Sequence, residues 1–497
     1  MKYSLLYKDL SGQTQPLSEF DKLFYDLSVD KAVSEFCPFP KRAAYFIDVL
    51  KCPVSSVDDI VFRQDILKDF LKSGKLLSDM KLIFNRYDSI RSDWNQLRQN
   101  VFPAAASGGY SSLLEYTYSQ MQVTATFTRT IISYLRSFLS VLEEAELNSE
   151  GLKNIRDYCR TMTDNKAFDE IYTIASLFQY HTPEQFRFIL HTHTDDTLRL
   201  IGSELTDITD KDTLHSAGII KRIFASKKEK DISVALGDTE SDDALFALNE
   251  ALRSTADALF AVTSAVYELF FGISNEFMFY DAAVSYIRFL EQKSVSYVFP
   301  KMLEQYEDCF YAKELRDLIL CCESTHKGED IVPNDIAMGK GDRGILIRGS
   351  NGSGKTVFLR SVALAQIFAQ AGLPVCADEA HISIRTLICA HFSSAEEEFR
   401  EGDIAGRFEG EVQQIAAIVD KLKPHSLIFF NETFQTTSYD EGTDAIYTIL
   451  SLLEGLGIQF IFVTHLTNLF GILSNEVRLM ETDTGINRYK LREASIQ

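Results

Sequence analysis

Proline is scarce in this chain, with 10 among 497 residues, which argues against long disordered linkers and favours helices. Its eight cysteines form no C-x-x-C pair, so we expect buried, reduced thiols. The N-terminus lacks the apolar stretch of a secretory leader. The longest apolar stretch, residues 256–273, contains Asp257 and Glu268, which predicts a buried helix and no membrane span. Together these absences predict a cytoplasmic protein that does not enter a membrane.

Positive charge is also in short supply. The chain has 50 Lys and Arg against 71 Asp and Glu, a net charge of −21. Such a chain binds nucleic acid poorly unless its basic residues cluster on one face. Apolar residues make up 45% of the composition, which is enough for large cores, and the length suggests more than one domain.

Long stretches of the first two thirds contain few helix breakers, and apolar residues recur there with helical spacing. Ser55 or Ser56, followed by two aspartates, predicts a helix cap and a helix over 57–71. Residues 113–147 contain no Gly or Pro and would form a helix of roughly 50 Å. Helices are expected again from about 242 to 322.

The pattern changes at two places. Residues 181–240 have a different, polar pattern, which indicates a small irregular or β-containing insertion. After Gly339, short apolar strands at 345–347, 427–430 and 460–463 alternate with helices. That alternation is typical of a mainly parallel α/β sheet.

One motif in the α/β part carries a specific chemistry. Residues 349–356 match G-x-x-x-x-G-K-[ST] between a strand and a helical stretch. In this phosphate-binding loop (P-loop), backbone N–H groups surround phosphate oxygens, the lysine reaches the β- and γ-phosphates, and the threonine hydroxyl binds Mg²⁺. We therefore predict an ATP site at Gly349, Ser350, Asn351, Gly352, Ser353, Gly354, Lys355 and Thr356.

Two further strand ends fit this chemistry. The strand 427–430 ends in Asn431 and Glu432, the arrangement of a Walker B motif, in which an Asp normally helps to hold Mg²⁺. Asn431 keeps a hydrogen bond to a metal-bound water without the charge, and Glu432 would orient the attacking water. His465 follows the strand 460–463 and is placed to sense the γ-phosphate.

The order of these motifs resembles the ATP-binding cassette group, and within it the MutS mismatch-repair family. The resemblance covers about residues 20–492 and is strong only from Ile331 onward. The segments that carry it there are Val332–Ile336, Gly349–Asn351, Ala365–Ala380, Asp403–Arg407 and Thr437–Gly442. In the helical part, Leu27–Leu71 is similar to the start of the family's core domain and Asn275–Phe299 to its returning lever helix.

This resemblance implies a multidomain chain, with an all-α core and lever region followed by an ATP-binding-cassette ATPase domain that dimerises. It also implies that adenine lies near Ile331 and Val332. The implied segments are a helical core (1–110), lever helices (111–180), a clamp-like insertion (181–240), returning lever and core helices (241–325) and the ATPase domain (326–497).

Several departures from the family pattern matter. Asn431 stands where the family has Asp. The family's signature segment is reduced to residues 408–412, in which Phe408 and Glu411 match, the preceding Ser-Thr pair is missing and Glu409 is extra. We also expect no N-terminal mismatch-reading domain, no C-terminal helix-turn-helix extension and no nuclease tail.

These observations leave alternatives open. The first is a slow, nucleotide-switched ATPase that works as a homodimeric clamp and acts on DNA by structure, not by base sequence. The second is a protein-interaction module that binds ATP, hardly hydrolyses it and does not bind DNA. A metal site at His191, His193, Asp195 and Asp196 is a third idea, although these residues fit a solvated loop better. Any DNA contact would come from basic residues in the insertion: Lys221, Arg222, Lys227, Lys228 and Lys230.

Overall fold

The helices and strands below come from a computed structural model. It describes residues 3–9, 16–17, 19–99, 110–180, 182, 185–194, 196, 200–210, 231–235, 241–323, 331–393, 404–434, 439–466, 468–469, 472–473, 477–483 and 488–494. Some residues singled out in the sequence lie outside these ranges: the five basic residues of the insertion, Asp195, Asp403, Thr437 and Ser438.

Helices dominate the chain before residue 293. The helix expected over 57–71 is present, and Ser56 caps it, since its Oγ accepts a hydrogen bond from the Asp59 N–H at 3.4 Å. The helices are α1 (Glu19–Asp26), α2 (Val29–Phe36), α3 (Pro40–Leu50), α4 (Val57–Lys72), α5 (Gly74–Gln99), α6 (Tyr110–Glu144), α7 (Glu150–Thr163), α8 (Lys166–Tyr180), α9 (Asp242–Gln292), α10 (Leu318–Cys322), α11 (Lys355–Gln370), α12 (Ile404–Val419) and α13 (Tyr439–Gly455).

Strands lie in the insertion and in the last two fifths of the chain. They are β1 (Phe186–Thr194), β2 (Leu200–Asp210), β3 (Asp231–Ala235), β4 (Lys301–Leu303), β5 (Phe310–Leu315), β6 (Asn334–Met338), β7 (Gly344–Arg348), β8 (Glu379–Ser383), β9 (Ile388–Phe392), β10 (Leu427–Asn431), β11 (Gln459–Val463), β12 (Val477–Thr482) and β13 (Leu491–Glu493), with a short 3₁₀ helix at Gln305–Glu307.

The expectation of helices through residue 322 is wrong for the stretch after α9. Pro300, which has no N–H to donate, precedes β4. In β5, Phe310 and Ala312 are buried with the twofold alternation of a strand, and Leu315 is buried out of phase because the register with β6 shifts between Ala312 and Leu315. β5 pairs with both β6 and β8, so these strands share one sheet.

Contacts divide the chain into two units. The first consists of Met1–Tyr3 and Lys72–Ser274, and the second of Ser4–Leu71 and Asn275–Gln497. The chain is therefore multidomain and mixes helix with sheet. The finer division into five segments stays a prediction.

The first unit packs helices against the sheet of the insertion. This sheet has the antiparallel order β2-β1-β3, so the described part of the insertion is β-containing, one of the two alternatives expected there, and the unit is not all helical. Buried side chains of α6, α8, β1, β2 and α9 form one apolar cluster, which includes Tyr118, Phe178, Phe188, Leu205 and Leu252.

Helix α9 is 51 residues long and contains an 18-residue window apolar enough to cross a membrane by length and composition. Half of that window is buried within the protein. A helix buried in a protein core also passes this test of length and composition. In α9, several residues belong to the apolar cluster of the first unit: Ala251, Leu252, Ala256 and Leu259.

The second unit contains two sheets. The larger has the order β13-β12-β7-β11-β10-β9, in which every pair is parallel except β12 with β13. The three strands predicted from the sequence are β7, β10 and β11, and they are neighbours in the order β7-β11-β10. Their central residues are fully buried, as expected for a parallel sheet covered on both faces. The smaller sheet has the order β4-β8-β5-β6.

All eight cysteines are free thiols, and seven are buried, which confirms the expectation from their apolar surroundings. Burial raises the pKa of several of them, Cys159 and Cys322 to about 12. Thiols with raised pKa values form little thiolate, so these cysteines act as core residues.

Buried charged side chains hold the N-terminal segment within the second unit. Arg63 of α4 is fully buried, and its Nε donates a hydrogen bond to the Leu6 carbonyl at 2.7 Å. Its guanidinium lies 4.9 Å from the centre of the Tyr7 ring. Gly372, with φ of 88°, passes close by, because a Cβ there would lie 2.8 Å from the Cβ of Arg63. The arginine therefore joins three separate stretches of chain.

Glu276 of α9 binds the same segment with its carboxylate. Its Oε1 accepts a hydrogen bond from Ser4 Oγ at 2.7 Å, and its Oε2 accepts one from the Leu5 N–H at 2.5 Å. Burial raises the pKa of Glu276 to about 7, and the two hydrogen bonds and Arg63 offset only part of that effect. The carboxylate is therefore costly to ionise in the folded protein.

This raised pKa predicts a pH dependence of stability. The pKa of Glu276 in the folded protein lies above its unfolded value of about 4.3, so the stability that Glu276 contributes is fully present below about pH 4.3. This stability is lost as the pH rises towards 7. We expect the free energy of unfolding of Glu276→Gln, relative to wild type, to increase between pH 5 and 8 by on the order of 3 kcal/mol. Urea unfolding at several pH values measures it.

Glu35→Gln, which removes an exposed carboxylate from α2, is the control for this experiment. The difference between Glu276→Gln and wild type isolates one group, so other titrating residues cancel. A difference that stays constant from pH 5 to 8 contradicts the assignment.

Candidate functional site

The P-loop connects β7 to the start of α11. Gly352 and Gly354 have φ of 70° and 92°, a region that glycine adopts without steric cost. Gly349 has a different constraint, since a Cβ there would overlap Thr482 Oγ1 of β12. The Thr482 hydroxyl donates a hydrogen bond to Ser353 Oγ at 2.8 Å. The glycines of the motif are thus required by the backbone turn and by close packing.

Lys355 lies where the three predicted motifs meet. Its ammonium donates hydrogen bonds to the carbonyls of Gly349 at 2.9 Å and Ser350 at 3.1 Å. The same nitrogen lies 4.0 Å from Glu432 Oε1 and 3.5 Å from His465 Nε2. Burial lowers the pKa of Lys355, and the Glu432 carboxylate partly offsets this by favouring the charged form.

Glu432 and His465 contact each other directly. His465 Nε2 lies 3.2 Å from Glu432 Oε1. The backbone of Glu432 is also held, because its N–H donates to the Val463 carbonyl at the end of β11 at 2.9 Å. The structure therefore brings together one cation, one carboxylate and one imidazole from three parts of the sequence.

Thr356 and Asn431, the two residues predicted to hold Mg²⁺, also meet. The Thr356 hydroxyl donates a hydrogen bond to Asn431 Oδ1 at 2.9 Å. Oxygen ligands of this kind suit Mg²⁺, which in nucleotide sites is bound by one or two protein oxygens together with phosphates and water. The pair fits such an ion, and it contributes no negative charge of its own.

A cavity of about 600 Å³ opens beside the P-loop, a size suited to a nucleotide. Ile331 and Val332, the residues expected near adenine, line it, as does Glu432. The P-loop residues that line it are Asn351, Gly352, Ser353, Gly354, Lys355 and Thr356. The remaining predicted residues, Gly349, Ser350, Asn431 and His465, bind lining residues through the contacts given above.

Other lining residues were not predicted. Tyr489 lies against the P-loop, since a Cβ on Gly354 would be 3.3 Å from its ring. Asn334 fixes this segment by donating to the Tyr489 carbonyl at 3.1 Å and accepting from the Leu491 N–H at 2.7 Å. No motif marks a lone tyrosine near the C-terminus, so nothing in the sequence singles it out.

Asp317 and Arg360 form a second unpredicted feature. Asp317 lines the cavity and caps α10 by accepting a hydrogen bond from the Leu320 N–H at 2.9 Å. Arg360 of α11 donates to both of its carboxylate oxygens, at 2.8 and 2.9 Å. This two-point ion pair ties the helix that follows the P-loop to the apolar end of the cavity. In the sequence, Asp317 is recognisable only as an Asp before an apolar helix, and this pattern indicates a helix cap and not a functional site.

Two residues that were not among the predicted site residues hold the turn after β10, and one of them, Glu411, belongs to the reduced signature segment. Glu411 of α12 accepts hydrogen bonds from Ser393 Oγ at 2.7 Å and from the Phe434 N–H at 2.9 Å. His391 Nδ1 lies 2.9 Å from Thr433 Oγ1. Burial, and to a lesser degree Lys22, lowers the pKa of His391 to about 4, so this histidine is uncharged at neutral pH.

The residues of the proposed metal site in the insertion do not form one where they are described. His191 is buried, and its ring contacts His193, which lies 3.8 Å from Glu204. In the described ranges, no group of three or more His, Cys, Asp or Glu is placed to hold a metal ion.

Two protein-family models match this chain. The model for MutS domain V matches residues 345–492, which include the P-loop, Glu432 and His465. The model for the MutS2 N-terminal domain matches residues 55–293, which span α4 to α9. The two ranges do not overlap and together cover most of the chain.

Curated relatives match part of this chain. The DNA mismatch repair protein MutS of Pseudothermotoga lettingae is 32% identical over 163 residues, 31% of this chain and 20% of that protein. The protein of the same name from Granulibacter bethesdensis is 34% identical over 135 residues, 27% of this chain and 14% of that protein. Endonuclease MutS2 of Shouchella clausii is 30% identical over 148 residues, 30% of this chain and 18% of that protein.

The matches thus span less than a quarter of each of these relatives, while the two family models account for both the helical part and the P-loop part of this chain. With the P-loop, Glu432 and His465 brought together at one sheet edge, the chain is a member of the MutS family.

Proposed function

We propose that this chain binds ATP with Mg²⁺ and hydrolyses it slowly, and that the nucleotide switches a dimeric clamp that acts on DNA in mismatch repair or recombination. The observation that carries the proposal is the meeting of Lys355, Glu432 and His465 beside the P-loop. Relatives named for DNA mismatch repair and as an endonuclease support the DNA part.

Each residue has a role in this proposal. The P-loop N–H groups and the Lys355 ammonium stabilise phosphate charge, which develops further as the terminal phosphoryl group is transferred. Thr356 and Asn431 hold Mg²⁺, which neutralises phosphate charge when bound. Glu432 orients the attacking water, and His465 fixes the Glu432 carboxylate and contacts the γ-phosphate. Ile331 and Val332 pack against the adenine.

A second candidate is an ATP-binding interaction module that hardly hydrolyses ATP and does not bind DNA. Asn431 favours it, because the metal site lacks the charge that an Asp would bring. The net charge of −21 favours it too, since an acidic chain is repelled by DNA phosphates. Measured turnover and DNA binding separate the two candidates.

ATP binding is expected to depend on Lys355. Replacing it with Ala removes a charge-assisted contact to phosphate of about 1.5–3 kcal/mol, so ATP affinity should fall by roughly tenfold or more. Titration calorimetry with ATP and Mg²⁺ measures this change. Lys423→Ala, which removes an exposed lysine beyond the cavity lining, serves as control. Equal affinity in wild type and Lys355→Ala would refute an ATP site at the P-loop.

Hydrolysis is expected to need Glu432. Glu432→Ala should abolish phosphate release while ATP still binds, because the group that orients water is lost. Asn431→Asp should leave ATP binding similar and raise turnover or the affinity for Mg²⁺, since it adds charge beside Thr356. Steady-state phosphate release at several Mg²⁺ concentrations compares the three proteins.

The outcomes of this comparison are distinct. If Glu432→Ala turns over as fast as wild type, the assignment of Glu432 is wrong. If wild type releases no phosphate and Asn431→Asp does, the chain is the binding module of the second candidate.

DNA should change the rate of ATP hydrolysis. We expect branched or mismatched duplexes to have a larger effect than plain duplex, and binding to weaken steeply with salt, because phosphate contacts release counterions. Phosphate release and gel shifts with the three DNA types at two salt concentrations measure both. If no DNA binds at low salt, the clamp proposal fails; if tight binding survives high salt, the expectation of a few phosphate contacts is wrong.

A further inference from the structure

The turn that follows β10 has an unusual backbone. Glu432 and Phe434 have φ of 56° and 62°, in the left-handed region that side chains other than glycine rarely adopt. Such conformations persist where surrounding contacts hold them. The contacts of this turn therefore decide where the Glu432 carboxylate lies.

Glu411 supplies one of those contacts from a different element. Its Oε2 accepts the Phe434 N–H at 2.9 Å, and its Oε1 accepts the Ser393 hydroxyl at 2.7 Å. Ser393 follows β9, and its own N–H donates to the Asn431 carbonyl at 3.1 Å. One carboxylate thus joins helix α12 to the ends of two neighbouring strands.

The aromatic packing next to Glu411 supports the same position. Phe408, three residues earlier on α12, lies with its ring 5.3 Å from the ring of Phe434. Phe434 is buried, so its ring and its N–H are both held by α12. Residues three apart on a helix lie on the same face, which explains why one face of α12 makes both contacts.

We propose that Glu411 is a positioning residue for ATP hydrolysis. It holds Phe434, and through this turn it keeps the Glu432 carboxylate next to Lys355 and His465. This inference rests on the proposed role of Glu432 in hydrolysis. Glu411 is not among the described residues that line the cavity, so it acts through the turn and not on the nucleotide.

Loss of the Glu411 carboxylate should separate turnover from binding. Without it, the Phe434 N–H loses its acceptor and the turn can leave its left-handed conformation, which moves Glu432 away from the position where it orients water. The P-loop, Lys355 and Thr356 keep their own contacts. A change confined to the hydrolytic step lowers kcat and leaves ATP affinity unchanged.

The experiment compares Glu411→Ala, Glu411→Gln and wild type. Phosphate release gives kcat, and titration calorimetry with ATP and Mg²⁺ gives Kd. For Glu411→Ala we expect kcat to fall by roughly tenfold to 100-fold with little change in Kd, as for a misplaced catalytic group. Glu411→Gln keeps one oxygen acceptor and should recover part of the rate. Asp420→Ala, which removes an exposed carboxylate directly after α12, should match wild type in both.

Several outcomes overturn the inference. The inference is wrong if Glu411→Ala turns over ATP within about twofold of the wild-type rate. It is also wrong if kcat and ATP affinity fall together, because that result indicates damage to the whole site. If Glu411→Ala does not fold, the test rests on Glu411→Gln. Full turnover of Glu411→Gln together with a reduced melting temperature would show that Glu411 only stabilises the fold, and would overturn the inference.

Glu432→Ala, measured alongside, separates this inference from the proposed function. If Glu432→Ala is inactive and Glu411→Ala is not slower than wild type, only the role of Glu411 is wrong. If Glu432→Ala is fully active, the proposed hydrolysis fails, and the inference fails with it. If wild type releases no phosphate, the same variants are compared in the Asn431→Asp background; a lack of turnover there too overturns both.

Discussion

The parallel pairing of β7, β11 and β10 is the constraint on which the proposed nucleotide site depends. Parallel neighbours end at the same edge of a sheet, so residues that follow these strands meet even though the sequence separates them widely. Lys355 follows β7 through the P-loop, Glu432 follows β10, and His465 follows β11. Asn431 pairs with Val463 at the ends of β10 and β11. Glu432 and His465, which follow these two strands, therefore lie side by side at this edge of the sheet.

Motifs that combine a fixed spacing with a strand or helix context could be predicted from sequence. The strands before the P-loop, before Glu432 and before His465 are all present, and the helices expected over 57–71 and 113–147 are found at Val57–Lys72 and Tyr110–Glu144. The spacing of apolar residues wrongly predicted helix where β4 and β5 lie, because strands of only three and six residues are too short to show a clear twofold pattern. Tyr489 could not be found at all, and Asn334 and Glu411 lie in segments that resemble the family although their roles could not be predicted, since each role depends on a tertiary contact that leaves no local pattern.

The charge balance of the site follows from one substitution. The Glu432 carboxylate lies next to Lys355. Asn431, whose Oδ1 accepts a hydrogen bond from the Thr356 hydroxyl, adds no negative charge. An Asp at this position would place a second negative charge beside Glu432 and hold Mg²⁺ more tightly. In the proposed site, Asn would leave attraction of the metal more to the nucleotide phosphates. The same geometry therefore fits both proposals, a weak hydrolase and a nucleotide-dependent binding module, and the two proposals differ in what Asn431 permits.

The packing of β12 and the segment after it against the P-loop affects how this chain can be divided. Thr482 bonds Ser353 and leaves no room for a Cβ on Gly349, while Tyr489 lies over Gly354 and is held by Asn334. A fragment ending after His465 would keep every recognisable nucleotide-binding motif and lose both supports. We therefore expect the smallest fragment that keeps the proposed nucleotide site intact to be larger than its motifs, and a domain exchange between relatives would have to carry β12 and the segment to β13 along with the P-loop.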